Sequence, residues 1–258
     1  MTPETINENK KQVVIFDLDG TLAESKQPLD FEMASLLADL LTETKVAVIS
    51  GGTFGQFEKQ FVARLPLNPR LYSNLFLFPA SGTAFYKYDN AWTRVYSEEI
   101  APDAKERIKA ALLQVESQLG LAEPTIYGEK IEDRGSQVTY SALGQQAPLE
   151  AKKIWDQDQE KRKKMTGLLT PMLPEFTVTI GGLTSVDITQ KGVDKAYGVQ
   201  KIEEVLGVPI AGMIFVGDKL DPGGNDFAVK RTGIDTFAVG TVDDTKKFIK
   251  EFIENLKD

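Results

Sequence analysis

The chain has 258 residues, 41% of them hydrophobic and 26% charged, the composition of a folded globular protein rather than a disordered one. Thirty basic against 38 acidic side chains leave a net charge of −8, which disfavours non-specific binding to nucleic acid. The absence of cysteine and histidine excludes disulfides, thiolate nucleophiles, histidine triads and zinc held by sulfur, so any metal must be held largely by oxygen.

In chain order, residues 1–11 are polar and lack the apolar stretch of a signal peptide, and no later run is long enough to span a membrane; a cytoplasmic location is expected. Val13-Val14-Ile15-Phe16 is a short, continuous apolar run, the signature of a strand buried on both faces. A helix is expected over 31–41, with Met33, Leu36, Leu37, Leu40 and Leu41 on one face. A second strand over 46–49 leads through Ser50-Gly51-Gly52 into a helix over 54–65, with Thr53 as its N-cap. A third strand spans 75–78. The segments 83–88 and 93–96, separated by Asp89-Asn90, read as a hairpin.

The middle of the chain has a different rhythm. A strong helix over 102–119 has proline in its first turn and Gly120 at its end. Strands follow at 125–127 and 137–143, then a basic helix over 149–169, then strands at 176–180 and 184–188. The basic cluster Lys161-Arg162-Lys163-Lys164 follows Asp156, Asp158 and Glu160, so it reads as a solvated helix face. This α-β-β-α-β-β order describes a compact α+β insert at 98–189 within a core made of 1–97 and 190–258. Beyond it come a helix opened by Lys195, a buried strand at 213–216, a last strand at 234–239 and an amphipathic helix over 245–256. Strand–helix alternation at both ends predicts an α/β fold with a doubly wound, mostly parallel sheet.

Asp17-Leu18-Asp19-Gly20-Thr21 closes the first strand, and two carboxylates one residue apart are costly there without a cation or hydrogen bonds. Alternation predicts that Asp17 and Asp19 face one crevice. Ser50 with the amide of Gly51 suits an anionic oxygen. Asp218, Asn225 and Asp226, around the Pro222-Gly223-Gly224 loop, complete an oxygen-lined cation site. The acid pair is a candidate for hard-metal, phosphate-directed chemistry, in which a lysine should offset the phosphate and an ionised nucleophile: Lys195 and Lys191 both compete for that role.

In this order, Asp17-Leu-Asp-Gly-Thr21, Ser50, Lys195 and Gly217-Asp218 with Asn225-Asp226 resemble the four motifs of haloacid dehalogenase (HAD)-type phosphatases and phosphotransferases. The insert is similar to that superfamily's large α/β cap. Phe16-Asp-Leu-Asp-Gly-Thr-Leu22, Ile180-Gly-Gly, Ser185-Val-Asp187 and the 217–226 loop resemble eukaryotic-type phosphomannomutases. The resemblance implies a Rossmann-like core in which Asp17 attacks phosphorus and Asp19 protonates the leaving oxygen. It also implies a magnesium ion held by Asp17, the Asp19 backbone carbonyl and Asp218, near Asp226, with Ser50 and Lys195 gripping the phosphoryl oxygens.

In the insert, Arg134, Ser185 and Asp187 match positions at which the mutases bind the sugar's distal phosphate. Where the mutases carry arginines, this chain has Lys26, Gln145 and Lys152. Arginine grips phosphate with two parallel bonds, whereas lysine is a point charge and glutamine carries none. A weaker second phosphate site favours a magnesium-dependent phosphohydrolase of sugar phosphates, with phosphomannomutase as the alternative. The expected partner is a phosphorylated sugar, with no nucleic acid and no membrane; subunit number is left open, a homodimer being one expectation. A receiver-like phospho-acceptor module would share the acidic pocket and the lysine, but such modules are much shorter and carry no insert.

Overall fold

The computed structural model of the chain describes residues 11–25, 27–66 and 68–257. The leader expectation for 1–10 therefore lies outside the described residues. The chain divides into two compact units, Met1–Ser97 with Asp194–Asp258, and Glu98–Val193.

In the first unit, strict alternation of apolar side chains builds two cores on one sheet. Strands β1 (Val13–Asp17), β2 (Lys45–Ile49), β3 (Leu75–Phe78), β4 (Ala84–Asp89), β5 (Ala91–Ser97), β10 (Met213–Gly217) and β11 (Asp235–Ala238) form it in the order β11-β10-β1-β2-β3-β4-β5. The five from β11 to β3 run parallel, and β4 and β5 are antiparallel additions at one edge. Val14, Phe16, Val46, Val48, Ile214 and Val216 pack on one face with α1 (Phe31–Glu43) and α7 (Val242–Lys257). Val13, Ile15, Ala47, Ile49, Met213 and Phe215 pack on the other with α6 (Lys195–Leu206). Covering both faces is what permits such uniformly apolar strands. The expected helix over 54–65 is shorter: α2 ends at Gln60 (Phe54–Gln60), and a 3₁₀ turn follows at Val62–Arg64. Thr53 occupies the N-cap position in extended conformation, but its side chain makes no capping bond.

The second unit is a four-stranded antiparallel sheet, ordered β6-β7-β9-β8, with helices on one face. Its elements are α3 (Pro102–Leu119), β6 (Ile131–Asp133), β7 (Gln137–Ser141), α4 (Leu149–Trp155), α5 (Glu160–Met172), β8 (Phe176–Gly181) and β9 (Ser185–Gln190). Val138, Tyr140, Val186 and Ile188 face Ile108, Leu112, Val115, Met165 and Leu169 of α3 and α5. The expected boundary at 189 falls inside β9, which runs on to Gln190.

Three readings need correction. Residues 125–127 are not a strand: the Tyr127 amide donates to the Leu143 carbonyl and its own carbonyl accepts from Gln146, wrapping the segment around the 142–146 turn. The strand is Ile131–Asp133, whose polar composition hid it. The basic helix over 149–169 is two helices, because the Asp156 carboxylate accepts from the amides of Lys161 and Arg162 (3.0 and 3.1 Å) and starts a new helix there. Arg162 is no part of a solvated face; it is 2% exposed, paired with Asp156 at 2.8 Å and bonded to the Gly182 carbonyl at 2.7 Å.

Candidate active site

The C-terminal ends of three neighbouring strands, β10, β1 and β2, carry the acidic and small residues. This is where ligands bind in open parallel sheets. By alternation Asp17 follows Val13 and Ile15 onto the α6 side of the sheet. There it meets Lys195, the first residue of α6, whose start is capped by Asp194 through the Ala196 and Tyr197 amides (2.9 and 3.1 Å). The helix approaches closely because two glycines face each other: a Cβ on Gly82 would lie 2.6 Å from the Gly198 Cα.

Asp17, Lys195 and Asp226 are 3%, 3% and 0% exposed, and the Lys195 ammonium donates to a carboxylate oxygen of each aspartate. The other Asp226 oxygen accepts from the Lys219 amide at 3.1 Å. Of the two lysines the sequence left open, Lys195 is the one that meets these aspartates, whereas Lys191 is exposed in the second unit. Burial pushes the Asp17 carboxyl up to about 6; the Lys195 charge opposes this and the Asp226 charge adds to it. Burial lowers Lys195, but Asp17 and Asp226 more than reverse the effect and leave it above its ordinary value. Asp17 and Lys195 are therefore both charged at neutral pH.

Asp218, at the end of β10, is also raised, chiefly by burial. Its Oδ1 is buried with no hydrogen-bond partner, and the carboxylates of Asp17, Asp218 and Asp226 offer oxygens within 4.8 Å of one another. Three carboxylates face two ammoniums, the buried Lys195 and the exposed Lys219, the latter 3.7 Å from Asp218. This still leaves a deficit of positive charge, and an unpartnered buried oxygen is costly. Both observations fit a hard divalent cation, since oxygen ligands are what it requires. Gly20 keeps the space open: at φ +88° its missing Cβ would stand 2.9 Å from the Asp218 Cγ.

Asp19 departs from expectation. β1 ends at Asp17, so alternation no longer governs Asp19, and its carboxylate is not part of the acidic trio. Instead Oδ1 accepts from Gln60 Nε2 at 2.8 Å and Oδ2 from Gln56 Nε2 at 3.1 Å, and Gln56 also donates to Gln60 Oε1 at 2.7 Å. Both glutamines come from α2, four residues apart, a spacing that puts them on one helix face. That spacing was readable beside the Ser50 segment. Ser50 is buried and accepts from the Gly52 amide at 3.2 Å, while Gly51 and Asn225 are exposed. Lys26 lies outside the described residues.

The remaining expected residues belong to the second unit. Opposite its helices the sheet presents Glu132, Thr139, Ser141, Ser185 and Asp187, brought to one side by the pairings Glu132–Thr139, Thr139–Asp187 and Ser141–Ser185. Thr139 donates to Asp187 at 2.8 Å. Arg134 donates through Nε and Nη2 to a single oxygen of Glu132 at 2.8 and 2.6 Å, so one edge of its guanidinium is engaged. Glu132, two residues earlier and therefore on the same side of an extended chain, was missed. Gln145 Nε2 is buried without a partner, and Lys152 Nζ donates to the Gln145 carbonyl at 3.1 Å.

Residues 33–255 match the family model described as eukaryotic phosphomannomutase. The chain is 25% identical over 255 residues to the phosphomannomutase of Encephalitozoon cuniculi, with 96% of each chain covered. It is 28% identical over 264 residues to a probable phosphomannomutase of Caenorhabditis elegans, covering 96% of this chain and 98% of that one. Among solved structures it is similar to an IMP-bound, N-terminally truncated IMP-nucleotidase of Plasmodium falciparum. That match has a TM-score of 0.65 at 15% identity and covers 97% of this chain and 70% of the other, a likeness of fold.

Proposed function

The chain belongs to the eukaryotic phosphomannomutase family, within the HAD superfamily of phosphoryl-transfer enzymes, and from that premise we propose that it is a phosphohydrolase of sugar monophosphates. An Asp17 oxygen attacks phosphorus, the bond from phosphorus to the sugar oxygen breaks, and Asp19 gives its proton to that oxygen. Water then attacks the aspartyl-phosphate, its proton passing to Asp19 and the phosphoryl group leaving as phosphate. Lys195 and Ser50 hold the phosphoryl oxygens, so most of the acceleration is positioning and charge stabilisation. Magnesium, held by Asp17, the Asp19 carbonyl and Asp218, would neutralise charge on the phosphoryl group. Asp226, with both oxygens engaged, serves to hold Lys195 and to add negative charge. Asn225 and Gly51 offer polar groups to the substrate.

We assign the second unit, 98–193, the role of a substrate-selecting cap. The observation that favours hydrolysis over mutation of the sugar phosphate is the Glu132–Arg134 pair. A mutase must hold a second phosphate, and Arg134 gives one edge of its guanidinium to a carboxylate while Gln145 brings no charge. Lys26, Lys152, Ser185 and Asp187 then serve sugar hydroxyls better than a dianion. Full-length similarity to phosphomannomutases favours the second reading, transfer between the 1- and 6-positions. Incubation with mannose 1-phosphate, magnesium and glucose 1,6-bisphosphate separates them. Phosphate released in step with substrate consumed is expected, whereas mannose 6-phosphate accumulating without free phosphate overturns the hydrolase reading.

A further inference from the structure

We infer that Gln56 and Gln60 are positioning residues that fix the Asp19 carboxyl for proton transfer to and from the substrate oxygen, an inference that rests on the phosphohydrolase reading. A carboxylate has two acceptor oxygens with about four lone-pair sites. The glutamine amides take one site on each oxygen. A turn about χ2 moves both oxygens of a carboxyl at once, so a donor on each oxygen doubles the number of bonds such a turn must break and narrows the range over which the carboxyl can swing. The Gln56–Gln60 bond in turn couples the two amides.

The local structure is shaped to allow this. Gln60 is 4% exposed, so its amide is bound to these partners in a place that water scarcely reaches. The side chain of Gln56 folds back over the loop after β2, and a Cβ on Gly52 would lie 2.7 Å from the Gln56 Cδ. The chain therefore has glycine where the second amide crosses the backbone. The bonds of these amides run to Asp19 and to each other, whereas the acidic trio is met by the ammoniums of Lys195 and Lys219. Their chemistry is directed at Asp19, and proton transfer is worth roughly 10²–10⁴ in rate when the acid is well placed.

The test separates placement of the acid from general damage. Gln60→Met and Gln56→Met delete each amide at nearly constant volume. Turnover of p-nitrophenyl phosphate, whose leaving group departs without a proton, is compared with that of phenyl phosphate and mannose 6-phosphate, whose leaving groups need one. Each variant is expected to lose at least about 10-fold more in kcat/KM on the last two than on the first, in line with the range for general acid catalysis. Equal losses on all three would assign the glutamines a merely structural role and overturn the inference. Gln56→Met, at a half-buried position, gives the same readout should Gln60→Met not fold. A wild-type protein that turns over none of the three takes down the phosphohydrolase reading and this inference with it. An active wild type with undifferentiated losses takes down the inference alone.

Discussion

Replacing Lys195 with methionine removes the ammonium but keeps most of the volume, so the loss reports on charge. Asp17 and Asp226 would be left 3% and 0% exposed without their shared cation. Breaking a buried ion pair from one side costs about 3–5 kcal/mol. For a unit of this size each kcal/mol lowers the melting temperature by about 2–4 °C, so a fall on the order of 10 °C is expected at pH 8. The fall must shrink in acid. Asp17 already titrates at about 6 against an ordinary 3.8, and losing the opposing charge of Lys195 raises it further. A carboxyl raised in the folded state favours folding where it is protonated, and that stability is lost as pH rises through the folded value. At pH 5 the variant can protonate Asp17 and recover much of the deficit, whereas at pH 8 it cannot. Lys195 itself is raised above 10.5, so its own protonation is constant across this window. Thermal unfolding by circular dichroism at pH 5, 6.5 and 8 in a chelator measures the difference between variant and wild type. Two results would refute the buried three-way pairing: a fall of less than about 2 °C at pH 8, where the cost of the broken pair applies in full, or equal falls at pH 5 and pH 8.

Gly198→Ala should destabilise by about 1–3 kcal/mol or more in urea unfolding, because its Cβ would collide with Ile49 Cδ1 and lie 2.7 Å from the Ser81 carbonyl oxygen. A change within about 0.5 kcal/mol, the range of ordinary surface substitutions, would show that α6 does not pack so closely. Asp218→Asn should weaken magnesium binding by at least about 10-fold in calorimetric titration, since it removes a charge from an oxygen-ligand site; unchanged affinity would remove Asp218 from the cation site.

The periodicities that run through short stretches of chain were readable without the fold. β1, β2, β3 and β10 are continuous apolar runs, and both faces of their sheet prove to be covered. Pro102 and Gly120 marked the ends of α3. Harder to read were elements whose stability comes from a partner rather than from local pattern. β6 is polar in sequence and exists because β7 offers an edge to pair with. The break between α4 and α5 depends on one carboxylate, Asp156, which is needed by the amides of 161 and 162 and by the buried Arg162.

By itself the sequence determined the sheet, the order of its acidic strand ends and the absence of any sulfur or imidazole chemistry, because those follow from residue type and short-range spacing. Tertiary structure alone decided which groups meet. It chose Lys195 over Lys191, turned Asp19 to Gln56 and Gln60 instead of the trio, and engaged Arg134 with Glu132. Such choices rest on hydrogen bonds and charges between segments up to 178 positions apart in the chain, distances across which no local pattern carries information.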